Sequence, residues 1–181
     1  MKIFAFAGSL RAGSYNRKLI AVAVANARAA GADVELGDFR DYCPPHYDGD
    51  AEAAAGGLPK EALALVEKVD AADGLIIATP EYNNSIPGPL KNAIDWLSRP
   101  RPYRLAGKPV LMIGAAGRSG CKHVFPPLRV TLEFQGAKVH AQSFGLEHCN
   151  AAFTPEGQLI EAALANELDA IIKAFLSEIK A

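Results

Sequence analysis

The chain has 181 residues, half of them hydrophobic, and a formal net charge of −1. That is enough for one well-buried core and short for two, so a single domain spanning 1–181 is expected. Near-neutrality without a basic run argues against nucleic acid or an anionic membrane surface as a partner, and no apolar stretch approaches bilayer-spanning length.

In chain order, residues 3–7 are apolar and partly aromatic and read as a buried strand. With Met1-Lys2 they resemble a signal peptide, but the run is too short and Arg11 interrupts it. Residues 17–30 hold no Gly or Pro and predict a helix, with Gly31 as its C-cap. A short strand follows at 33–36, then a long surface loop over 38–59. Residues 58–71 predict a helix carrying Leu63 and Val66, less regularly Leu65 and Val69. Gly74–Thr79 is a continuous apolar run, as in a central parallel strand. Residues 86–97 place Ile86, Leu90, Ala93, Ile94 and Leu97 on one helical face. A strand at 108–114, a helix remnant at 128–134, a last strand at 138–143 and a long amphipathic helix at 158–180 complete the series. Five strand–helix alternations predict an α/β, doubly wound, five-stranded parallel sheet of flavodoxin-like order 2-1-3-4-5, with helices on both faces.

Cys43, Cys121 and Cys149 are odd in number and far apart, which suits reduced, structural thiols in a cytoplasmic compartment. Neither His46 with Asp48 and Asp50 nor Cys121 with His123 matches a ligand spacing, so no metal is expected.

In such sheets ligands bind beyond the carboxyl ends of the strands, beside strand one. Three loops fall there. Residues 8–16 (Gly-Ser-Leu-Arg-Ala-Gly-Ser-Tyr-Asn) join the first strand to a helix start, a seat for an anion. A dinucleotide fingerprint would need a second glycine after Ser9, and a triphosphate loop would need lysine where Ser14 stands. One terminal phosphate remains, with Ser9, Ser14 and Asn16 as donors and Arg11 as the charge. The alternative is a capped helix start without ligand, Ser14 or Asn16 being the cap. The second loop offers Tyr82, Asn83 and Ser85 between stiffening prolines, suited to a planar heterocycle. The third spans 115–120.

Residues 8–16, together with Thr79-Pro-Glu-Tyr-Asn-Asn-Ser-Ile-Pro-Gly-Pro-Leu-Lys-Asn-Ala-Ile-Asp-Trp96, resemble the NADPH-dependent FMN reductase family over nearly the whole chain. That resemblance implies bound FMN and hydride transfer from NADPH or NADH through the flavin to a quinone, azo compound, chromate or free flavin. It implies that Ser9, Arg11, Ser14 and Asn16 hold the phosphate and that Pro80, Glu81, Tyr82, Asn83 and Ser85 line the ring. Gly117, Arg118 and Ser119 fall in the family's third loop, at the pyrimidine end. Backbone N–H groups of 115–120 are then expected to stabilise charge on the reduced flavin, with no catalytic side chain. Arg118 reads as a solvated loop charge or a contact to a cofactor phosphate. Glu81 reads as a backbone-orienting or subunit-contact residue rather than an acid.

The chain departs from the family pattern at Pro126-Pro127, which demand that the next helix start at or after them, or break. The resemblance also implies a homodimer or homotetramer, and Trp96 is expected at the subunit interface rather than the core edge. Two other classes stay open: a flavodoxin-type electron carrier reduced by a partner protein, and a non-catalytic signalling or interaction domain. Such carriers are strongly acidic, unlike this chain.

Overall fold

The structure, a computed structural model, describes residues 1–180. Strands β1 (Lys2–Ala7), β2 (Asp33–Gly37), β3 (Gly74–Thr79) and β4 (Pro109–Ala115) pair in parallel in the order β2-β1-β3-β4, with β5 (Lys138–Val139) on the far side of β4. The expected order 2-1-3-4-5 is therefore present, and its direction reverses between β1 and β3.

Period-two alternation sorts the strand residues into two cores. Ile3, Ala5, Ala7, Ile76, Ala78, Leu111 and Ile113 face helices α1 (Tyr15–Ala29) and α6 (Ala162–Lys180). Phe4, Phe6, Leu75, Ile77, Val110 and Met112 face α3 (Lys60–Ala71), α4 (Gly88–Leu97) and α5 (Phe125–Phe134). Both faces of β3 are buried, which accounts for its unbroken apolar run.

The fifth strand differs from expectation. It is not one piece at 138–143: β5 ends at Val139, and a sixth strand, β6 (Phe144–Leu146), resumes the pairing with β4 at Ile113–Ala115. Arg129 of α5 breaks it, its guanidinium donating to the carbonyls of Val139 (3.1 Å), His140 (2.7 Å) and Ala141 (3.2 Å). These carbonyls are satisfied by a side chain instead of a neighbouring strand.

The stretch 38–59 is also more than a loop. A 3₁₀ turn at Phe39–Tyr42 stacks Phe39 on Phe6 and sets Tyr42 edge-on to Phe4. Asp38 caps that turn and holds both Arg40 and Arg17. The Arg40 hydrogen bonds, then those of Arg17, outweigh burial and keep its carboxyl below the usual carboxylate range. Helix α2 (Gly49–Ala55) follows, capped by Asp48. On α3 the buried residues are Ala62, Leu65, Val66 and Val69, while Leu63 points outward, 46% exposed.

Helix boundaries move as well. Helix α4 begins at Gly88 rather than Ile86. Helix α5 begins at Phe125, ahead of both prolines, which sit in its first turn where their missing N–H groups break no helical bond. Helix α6 begins at Ala162, because residues 152–160 form a hairpin bridged at Phe153 and Leu159, which leaves Ile160 exposed.

Trp96 is a buried residue of the chain itself, 3% exposed, and not an open interface residue. Its indole N–H donates to the Pro45 carbonyl at 2.8 Å, and the Tyr47 ring stands edge-on to it. Asn92, one turn earlier, accepts from the Tyr47 N–H and donates to the Pro44 and Pro45 carbonyls. Together they strap the 44–47 segment to α4.

Candidate functional site

The loops after β1, β3 and β4 meet at the carboxyl ends of those strands, beside the point where strand order reverses. They are cross-tied. The Gly8 N–H donates to the Ala78 carbonyl at 2.8 Å, joining the first loop to β3. The Cys121 thiol of the third loop donates to the Thr79 carbonyl at 3.4 Å, joining it to the second.

In the first loop Ser14 is the N-cap of α1, its hydroxyl accepting from the Asn16 N–H at 3.2 Å. Among the described residues the N–H groups of Leu10, Arg11, Ala12, Gly13 and Tyr15 find no acceptor. Five free donors beside the positive end of a 15-residue helix make an anion cradle. Ser9 is buried at the base of the loop. The Arg11 guanidinium is exposed, lies 6.0 Å over the Tyr15 ring and donates to the Gly13 carbonyl at 3.0 Å.

Asn16 does not match the role expected of it. Its carboxamide is 2% exposed and turned into the protein. It donates to the Ala115 carbonyl at 2.9 Å and accepts from the Ala115 N–H at 2.8 Å. Asn16 therefore struts the first loop to the end of β4.

In the second loop Pro80 is buried while Tyr82, Asn83 and Ser85 are exposed. Tyr82 and Ser85 exchange backbone hydrogen bonds of 3.2 and 3.0 Å around Asn83 and Asn84, whose φ angles are 51° and 59°. This is a two-residue turn with both central residues left-handed, a conformation asparagine tolerates. It holds the Tyr82 ring at the rim, 47% exposed.

Glu81 points across to the third loop, where its carboxylate accepts from the N–H of His123 at 2.8 Å and of Val124 at 3.0 Å. Burial pushes its carboxyl up, but the Ser119 side chain and those two N–H groups outweigh burial and hold it below the usual carboxylate range. In the third loop the Ala115 N–H belongs to Asn16, and the Ala116 N–H donates to Leu146 at 3.0 Å. The donors left without an acceptor among the described residues include those of Gly117 and Arg118. Both residues are exposed. The N–H set expected at 115–120 thus narrows to 117–120 among the described residues.

Cys121 sits at φ 64°, fully buried. Burial first, then the nearby Glu81 charge, pushes its thiol up to about 12, so it stays protonated and inert at neutral pH.

One contributor escaped the sequence reading. The segment from β6 to His148 backs the third loop, with the His148 N–H donating to the Gly117 carbonyl at 2.6 Å. Gly145 permits the approach, since a Cβ there would lie 1.9 Å from the Gly120 carbonyl oxygen. An isolated glycine between Phe144 and Leu146 was the available signal.

The arrangement offers an anion cradle, an exposed aromatic and amide turn, and free N–H groups in the third loop, with no nucleophile–base pair in the three loops. Comparison with known proteins identifies the family. Residues 1–151 match the model of the family described as NADPH-dependent FMN reductase. The chain is 37% identical over 163 residues to an NAD(P)H-dependent FMN reductase of Pseudomonas aeruginosa, covering 89% of this chain and 85% of that one. It is 36% identical over 182 residues to a quinone reductase of Escherichia coli K12, covering 97% and 93%. Among solved structures it superposes on FerB, a flavoenzyme NAD(P)H:(acceptor) oxidoreductase from Paracoccus denitrificans, with TM-score 0.84, 30% identity and coverage of 99% and 97%. An archaeal flavodoxin at 10% identity and TM-score 0.66 shares the fold alone. The chain belongs to the NADPH-dependent FMN reductase family.

Proposed function

We propose that FMN lies across the carboxyl ends of β1, β3 and β4, with its phosphate in the 8–16 loop and its ring between residues 80–85 and 117–119. Family membership makes the chain an FMN-dependent NAD(P)H oxidoreductase. The observation that carries the site assignment is the set of five unpaired N–H groups in the first loop. A bare helix cap needs no such set, and a phosphate satisfies it.

FMN, when bound, takes hydride from NAD(P)H and passes the reducing equivalents to an acceptor. The protein's part is binding, placement and electrostatics. The 10–13 N–H groups and the Ser9 hydroxyl receive the phosphate, and Arg11 exchanges its Gly13 contact for a charge-assisted one. Pro80 and the Tyr82–Ser85 turn set the plane of the ring. The Gly117 and Arg118 N–H groups supply donors at its electron-rich end. Asn16 and Glu81 act behind them, holding the loops. Arg118 is the exposed charge at the mouth, available to a nicotinamide cofactor's phosphate.

The acceptor is a small molecule: a quinone, by likeness to the Escherichia coli relative, or an azo compound, chromate or free flavin. The near-neutral charge supports a reductase over a partner-reduced carrier. A homodimer or homotetramer is supported by the exposed apolar side of α5. Three unpaired cysteines and the lack of a helix long and apolar enough to cross a membrane, among the described residues, support a cytoplasmic protein.

Titrating the apoprotein with FMN and following flavin fluorescence tests the site. Arg11→Ala and Ser14→Ala are each expected to weaken binding by about tenfold, the loss of one charge-assisted contact or one cap. Wild-type affinity in both contradicts the assignment.

A further inference from the structure

Helix α5 begins with an unusual deficit. Its N-cap residue is Val124, which has no side-chain acceptor, and positions two and three of its first turn are Pro126 and Pro127. An ordinary cap residue accepts from the N–H groups at those two positions, and here neither exists. The donors needing a partner are displaced upstream, to His123 and Val124. The Val124 N–H has a second, longer contact to the Cys121 carbonyl at 3.2 Å, but the His123 N–H has no other acceptor among the described residues.

We propose that Glu81 is the N-terminal cap of α5, supplied in trans from the loop after β3, and that through this contact it positions the third loop for FMN. Its carboxylate takes the His123 and Val124 N–H groups at 2.8 and 3.0 Å and faces the positive end of the helix. One residue of the second loop thereby fixes the C-terminal end of the segment 119–124. Gly117 and Arg118, whose N–H groups are free, immediately precede that segment. Glu81 is thus a positioning residue, and the prolines that depart from the family pattern are matched by an acceptor 42 positions away in sequence. The cofactor half of this proposal rests on the FMN reading above; the cap does not.

The test pairs amide hydrogen exchange of the apoprotein, resolved by NMR, with FMN titration of wild type, Glu81→Gln and Glu81→Asp. In the wild type the His123 amide is expected to be protected although it precedes the helix. In Glu81→Gln it exchanges at least about tenfold faster, and the FMN dissociation constant rises about tenfold, as expected when charge-assisted hydrogen bonds become neutral ones. Glu81→Asp keeps the charge but is one methylene too short, and does not rescue either readout. An unprotected His123 amide in the wild type overturns the cap without any variant being needed. Weakened FMN binding with His123 still protected overturns it too, because Glu81 then touches the cofactor directly. Faster exchange with unchanged FMN affinity overturns the positioning role. A wild type that binds no FMN sinks the cofactor reading, while exchange at His123 still judges the cap.

Discussion

The Asn16 carboxamide makes two short hydrogen bonds to one residue, Ala115, across 99 positions of sequence. Both its acceptor and its donor are used, so alanine at 16 leaves the Ala115 N–H and carbonyl buried without partners. Asn16→Ala is expected to cost about 2 kcal/mol of stability, the penalty of stranding such groups. Chemical denaturation checks it, and a loss of FMN affinity with no loss of stability would show that Asn16 is a cofactor ligand after all. Residue types and spacing in 8–16 are enough to propose a phosphate seat. Which donors face the ligand and which face the protein was not legible, because that depends on where β4 ends relative to α1. Ser14 and Asn16 are equally good donors on paper, and only the fold turns one to the helix start and the other to the sheet. Glu81 is the same case, since its partners lie in a loop that the chain reaches 42 residues later.

At the level of elements, α5 presents Pro126, Val130 and Phe134 at intervals of four, with Val130 68% and Phe134 76% exposed. Spacing of four places side chains on one helical face, and a monomer gains nothing from wetting them. This is the surface expected to self-associate. Phe134→Glu is expected to lower the mass seen by sedimentation at micromolar concentration, and a wild type that sediments as a monomer contradicts the proposed assembly. Long elements were readable because their patterns reflect local physics: the apolar run of β3 and the helical period of α4 survive any arrangement of the rest. The fifth strand was misread because its interruption comes from Arg129, ten residues before the first carbonyl it takes. Helix α2 was hidden in a run of small residues that buries nothing, so it carries no periodicity to detect. The prolines of α5 demand, on sequence alone, that the helix start at or after them or break, since a sequence does not show which turn of a helix they will occupy.

For the molecule as a whole, sheet order and site position follow from one rule of winding. With crossovers on both faces of the parallel sheet, the strand order reverses between β1 and β3, and the loops after these strands are the ones left open to a ligand. None of the three loops of the site offers a nucleophile beside a base. On the proposed reading, the chemistry of the site depends on one cofactor held by backbone donors, an aromatic turn and two struts. The most direct measurement is therefore anaerobic: apoprotein reconstituted with FMN is titrated with NADPH and, separately, NADH while the oxidised-flavin absorbance near 450 nm is followed. The account predicts tight FMN binding, bleaching by at least one nicotinamide at about one equivalent per flavin, and recovery of colour on adding a quinone. FMN that binds but is bleached by neither NADPH nor NADH would contradict it.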